Sequence, residues 1–107
     1  MRSIAVLSLL VSLAACGKDA NTQLCLDDFA ALEKAGAPKG AGVPKDAGTV
    51  YQTCGISCDV TKDSDACEAF EKTTDMICEG GGKEACAALC AGDAKKNAHA
   101  CKKAESM

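Results

Sequence analysis

Apolar residues fall along this chain in two different ways. Residues 4–13 form one uncharged run, Ile-Ala-Val-Leu-Ser-Leu-Leu-Val-Ser-Leu, behind a single Arg2. After it, apolar positions recur at intervals of three and four among polar ones, the spacing of helices that bury one face. Cys25, Phe29 and Leu32 fall on such a face and predict a helix over 22–33, with Thr22 as its cap and Gly36 as its stop. Residues 36–44, Gly-Ala-Pro-Lys-Gly-Ala-Gly-Val-Pro, read as a loop. Pro44 suits the first turn of a second helix. That helix carries Val50, Tyr51 and Cys54 to about Ile56, weakened by Gly48 and Gly55. Residues 58–62 read as a connector. Asp63 or Ser64 caps a stronger helix over 65–79, where Cys67, Phe70, Thr74, Ile77 and Cys78 make one stripe. Gly80, Gly81 and Gly82 stop it. A short helix over 83–91 carries Cys86, Leu89 and Cys90. Gly92 breaks it, and Asp93 caps a last helix with Cys101 near its end. Nothing alternates as a strand. The expected fold is all-α: a small disulfide-stapled bundle of four to five short helices after an N-terminal signal helix.

The opening run is shorter than the roughly 20 apolar residues a membrane span needs. A charged start, a short apolar segment and small residues together read as an export signal. Leu13-Ala14-Ala15-Cys16 narrows that reading, because it resembles the lipobox of bacterial lipoproteins. The resemblance implies cleavage before Cys16 and lipid on its sulfur. An ordinary cleaved signal would instead leave Cys16 as one more disulfide cysteine. The chain holds nine cysteines. With Cys16 lipidated, Cys25, Cys54, Cys58, Cys67, Cys78, Cys86, Cys90 and Cys101 remain, the even number that a disulfide framework requires. The chain then divides into a signal peptide (1–15), a lipidated N-terminus and tether (16–21) and a disulfide-bonded helical domain (22–107).

Composition makes those bridges important. The large apolar side chains after the signal are few: Leu24, Leu26, Phe29, Leu32, Val43, Val50, Tyr51, Ile56, Val60, Phe70, Met76, Ile77, Leu89 and a terminal Met107. A domain this small with so thin a core usually needs covalent staples. Eight cysteines also point to an oxidising compartment such as the periplasm. Losing Arg2 with the signal leaves 11 lysines against 15 acids, a formal charge of −4. Residues 59–84 hold eight acids against three lysines, which argues against a nucleic-acid partner. Lys95, Lys96, Lys102 and Lys103 reverse the sign at the tail, where cations suit a helix C-terminus.

Two segments share a plan of helix end, polar turn and helix start: Cys58 to Cys67 and Cys78 to Cys86, each closing on Ala-Cys. This resembles the cysteine-stapled Sel-one-like repeats, relatives of the tetratricopeptide repeats. Gly40-Ala-Gly-Val-Pro-Lys-Asp46, followed by Tyr51 and Cys54, is similar to that family's inter-helix loop and second helix. The helix before the loop lacks the family's leucine, glycine and tyrosine pattern, and the cysteine pairs recur about 20 residues apart, short of the family's full period. The resemblance implies bridges from the end of one helix to the start of the next, and a protein-binding scaffold. Helices joined by short turns favour the same sequential scheme: Cys58–Cys67, Cys78–Cys86 and Cys90–Cys101, leaving Cys25–Cys54. Cys67 and Cys78 are separated by about 16 Å of helix, too far to bridge. A crosswise scheme, Cys54–Cys90 with Cys58–Cys86, remains open.

The residues support little chemistry beyond this. There is no Cys-x-x-Cys for thiol redox work; Cys54/Cys58 and Cys86/Cys90 are one residue wider and place both sulfurs on one helix face. Those pairs, with His99 near Cys101, are the material for a thiol-based metal or redox carrier, the alternative reading. One histidine and no Gly-x-Ser-x-Gly give no hydrolytic site, and the glycine run lacks the strand and Gly-Lys-Ser/Thr of a phosphate loop. The expectation is a non-catalytic envelope lipoprotein without cofactor or metal, held at the membrane by lipid and binding or scaffolding an unidentified protein. Gly17 after Cys16 resembles the outer-membrane sorting signal of enteric-type bacteria and favours that membrane if the source has two.

Overall fold

The computed structural model describes residues 18–36, 42–92 and 97–107. The opening apolar run that reads as a signal, Cys16 and Asp93 lie outside these residues. Among the described residues four helices follow in order: α1 (Ala20–Ala35), α2 (Ala47–Thr61), α3 (Ser64–Gly92) and α4 (Ala98–Ser106). The domain is all-α and stapled by four disulfides.

Helix α1 starts earlier than its pattern suggests. The cap is Asp19, in extended backbone, whose carboxylate accepts from the Thr22 backbone N–H at 3.2 Å. Both residue types cap well, and the upstream one prevails because Thr22 is needed inside. Ala20 and Asn21, read as tether from composition, form the first turn. Thr22 is buried, and its hydroxyl is the one buried side-chain polar atom without a hydrogen-bond partner among the described residues. An unpaired buried hydroxyl is costly. Thr22→Val should therefore raise stability by about 1 kcal/mol, read as a higher midpoint of urea unfolding; a lower midpoint would show that the hydroxyl is satisfied. At the other end Gly36 adopts φ +63° and its N–H returns to the Leu32 carbonyl at 3.0 Å, as a glycine after a helix commonly does.

Helix α2 corrects two expectations. Pro44 lies before the helix, its carbonyl accepting from the Ala47 N–H at 3.1 Å in the lead-in turn. The helix also passes through Gly55 and Cys58 to Thr61, reducing the connector to Lys62 and Asp63. Gly55 is a contact: a Cβ there would lie 2.9 Å from Cε1 of the Phe70 ring. The close approach of α3 offsets the weak helix propensity of glycine. Lys62 ends α2 in left-handed backbone, φ 58° and ψ 23°.

Asp63 caps α3, its Oδ2 accepting from the Ala66 N–H at 2.9 Å. Only the third glycine breaks the helix, at Gly82 with φ 84° and ψ −175°, a region that side chains disfavour. Gly80 serves the approach of another segment. Its carbonyl accepts from the Gly42 N–H at 3.0 Å, and a Cβ on Gly80 would run into the Gly42 carbonyl. Asn97 caps α4, its Oδ1 accepting from the Ala100 N–H at 3.1 Å, in the role expected of Asp93.

The core joins Cys25 and Leu32 of α1, Ala47, Val50 and Cys54 of α2, and Ala66, Ala69, Phe70 and Ile77 of α3. Tyr51 and Phe70 meet ring to ring at 4.8 Å. Small residues dominate the cluster, so the helices sit close. Thr73 and Thr74 are buried, donating to the Ala69 and Phe70 carbonyls at 2.7 and 2.9 Å. Leu24, Val43, Ile56 and Val60 stay exposed.

Candidate functional site

The chemistry-bearing residues of this chain are its cysteines, and turn geometry decides their partners. The short α2–α3 corner brings Cys58 beside Cys67, with Cα atoms 4.6 Å apart. The break at Gly82 folds α3 so that Cys78 reaches Cys86 at 4.5 Å. Cys90 and Cys101 join α3 to α4 at 4.7 Å, and Cys25 and Cys54 join α1 to α2 at 4.9 Å. This is the sequential scheme. The crosswise pairs do not form, because Cys54 is already bridged to α1 while Cys86 and Cys90 are bridged within α3 and to α4. The bridges differ in access: Cys25, Cys54, Cys78 and Cys86 are fully buried, whereas Cys58, Cys67, Cys90 and Cys101 are half-buried.

Bridged sulfur is not a thiolate, so Cys101 is no partner for His99 in metal ligation. His99 instead pairs with Asp75 on α3, Nε2 to Oδ1 at 2.7 Å. Lys103, one turn on, lies 3.4 Å from Asp75 and 3.3 Å from Glu79. Burial pushes the Lys103 ammonium down, but Glu79 and Asp75 outweigh it and hold its pKa above the ordinary value. The cluster is an α3–α4 seam. Among the described residues no three metal-ligating side chains converge. A second seam is buried: the Asn97 amide donates to the Tyr51 hydroxyl at 2.7 Å and to Thr74 at 3.4 Å.

The N-terminal edge is fastened in a way that spacing along the sequence does not signal. Lys18 reaches Asp63 at 2.7 Å and Asp65 at 3.1 Å, across the α2–α3 corner. Hydrogen bonds to both carboxylates raise the Lys18 pKa, and the bond from Lys18 lowers that of Asp63. Asn21 adds bonds from its amide to Ser57 Oγ at 2.6 Å and the Thr53 carbonyl at 3.2 Å. The chain is therefore bound to the domain from Lys18 onward. At the opposite end a cleft of about 460 Å³ lies between the end of α1 and the start of α2, lined by Asp28, Leu32, Gly36, Pro44, Asp46 and Val50 among others.

Sequence reasoning missed Lys18 and Asn97. Nothing local marks the first, whose partners are 45 and 47 residues away. Asn97 carried a usable signal, an N-cap residue directly before Ala-His-Ala-Cys, which Asp93 outcompeted on paper.

Compared with protein-family models, curated proteins and solved structures, the chain matches none of them. No helix among the described residues is long and apolar enough to cross a membrane. The molecule is a small all-α domain whose staples link successive helices and the two halves of α3 across Gly82.

Proposed function

We propose that this chain is a lipid-anchored protein of a bacterial cell envelope, and that its helical domain binds or scaffolds another protein without catalysis of its own. The observation that carries the reading is the pairing of the cysteines. Eight of the nine pair among themselves, so none of them is left for Cys16, the residue at the end of the lipobox-like Leu13-Ala14-Ala15-Cys16. Four bridges fit an oxidising compartment, and the short apolar run before Cys16 fits export. A carrier of metal or electrons through thiols would need reduced pairs, and the bridging favours the scaffold over it. Gly17 supports the outer membrane where the source has two.

Fed labelled fatty acid, cells should incorporate it into the wild-type protein, which should fractionate with membranes. Cys16→Ser should abolish labelling and leave the protein soluble or unprocessed, since two acyl signals are about what stable anchoring takes. A wild-type protein that never takes up label would end this reading.

A further inference from the structure

Of the five exposed large apolar residues among the described ones, Val43 and Met107 lie apart, and the three most exposed gather at one edge. Val60, 72% exposed, lies in the last turn of α2, three residues before Asp63. Ile56, 50% exposed, is one turn earlier on the same face. Leu24, 52% exposed, adjoins Cys25, whose bridge to Cys54 sets it beside that stretch of α2. All three belong to the half of the α1–α2 pair that includes the start of α1, where Lys18 is clamped to Asp63 and Asp65.

That edge is also where the anchor would act. Cys16 is two residues before Lys18, and two residues span at most about 7 Å. A domain clamped at Lys18 has almost no tether with which to stand away from a lipid on Cys16. We infer that Leu24, Ile56 and Val60 form a membrane-resting edge, their side chains entering the interfacial region of the bilayer in which Cys16 is anchored. The inference rests on the anchor reading of Cys16. The occupant is lipid because the edge adjoins the anchor. Two lysines, Lys18 and Lys62, stand there against four acids, Asp19, Asp59, Asp63 and Asp65, an excess of negative charge that offers no attraction to anionic headgroups. Apolar insertion is the driving force, so the contact should not depend on anionic lipid.

The chain contains no tryptophan, which allows single reporters. Full-length lipidated Val60→Trp and Leu24→Trp proteins, with Lys45→Trp at the opposite end as control, are reconstituted into phosphatidylcholine vesicles with and without brominated acyl chains. Interfacial side chains lie roughly 5–10 Å into the headgroup and acyl boundary. The indoles at 60 and 24 should emit to the blue and lose roughly half their emission to bromine, the one at 45 about a tenth or less. Vesicle flotation separates the two ways of failing. Protein that floats without quenching at 60 and 24 overturns the membrane-resting edge and leaves the anchor standing. Protein that does not float overturns both. A blue shift without quenching assigns the edge to a second copy of the chain, and quenching that requires anionic lipid replaces apolar insertion by electrostatics; either overturns the inference.

Discussion

Reduction of the four bridges is expected to unfold the domain, with the bridges opening in a set order. The closed loops follow one another without overlap, at sequence separations of 29, 9, 8 and 11 residues. Chain entropy assigns about 3.5 kcal/mol to the first and about 2.5–3 kcal/mol to each of the others. Independent loops add, and their sum of about 11–12 kcal/mol rivals the about 5–15 kcal/mol of a whole small domain. A core of alanine and cysteine, with Leu32, Val50, Phe70 and Ile77 as its large buried side chains, cannot replace that. Access sets the order. A reductant reaches Cys58–Cys67 and Cys90–Cys101 first, since all four of these residues are half-buried, whereas Cys25–Cys54 and Cys78–Cys86 open only when the helices part. Stepwise reduction, alkylation and peptide mapping should show the two accessible bridges labelled while helical circular dichroism persists, then a cooperative loss of helix with the last two. Unchanged helicity and melting temperature after complete reduction would show the staples to be dispensable.

The same bridges explain how much of the fold could be read in advance. Cysteines that flank short turns have few partners within reach, so local spacing favours the sequential pairing, with Cys25–Cys54 as the remainder and the crosswise scheme left open, while the all-α class follows from the three-and-four spacing of the apolar positions. What was hidden depends on contacts between distant segments. Gly55 weakens a helix in isolation; only the Phe70 ring against it explains why α2 continues. Gly80 reads as part of a stop signal, yet it is bare because Gly42 crosses it. Asp19 and Thr22 are equally good caps until burial of Thr22 decides between them. Lys18 carries no local sign of Asp63. Propensity and capping rules see a window of a few residues, and each of these choices is made by a neighbour at least one helix away or by burial.

Phe70→Ala should be the most damaging single substitution in the core. The ring is 5% exposed, stacks against Tyr51 at 4.8 Å and closes over Gly55. Loss of a buried phenylalanine costs about 3–5 kcal/mol, a large share of the total for a core this thin. The converse change fills the same contact from the other side. Gly55→Ala puts a methyl within 2.9 Å of the ring and should cost about 1–3 kcal/mol as overpacking, against a gain of about 1 kcal/mol in helix propensity. The two should be coupled. With the ring gone the methyl has room, so Gly55→Ala added to Phe70→Ala should cost nothing and recover up to about 1 kcal/mol. A double-mutant cycle by urea unfolding, with all bridges intact, measures this as a coupling of about 1–3 kcal/mol. Strict additivity would mean that Gly55 is not held bare by Phe70, and the continuation of α2 beyond Ile56 would then need another cause.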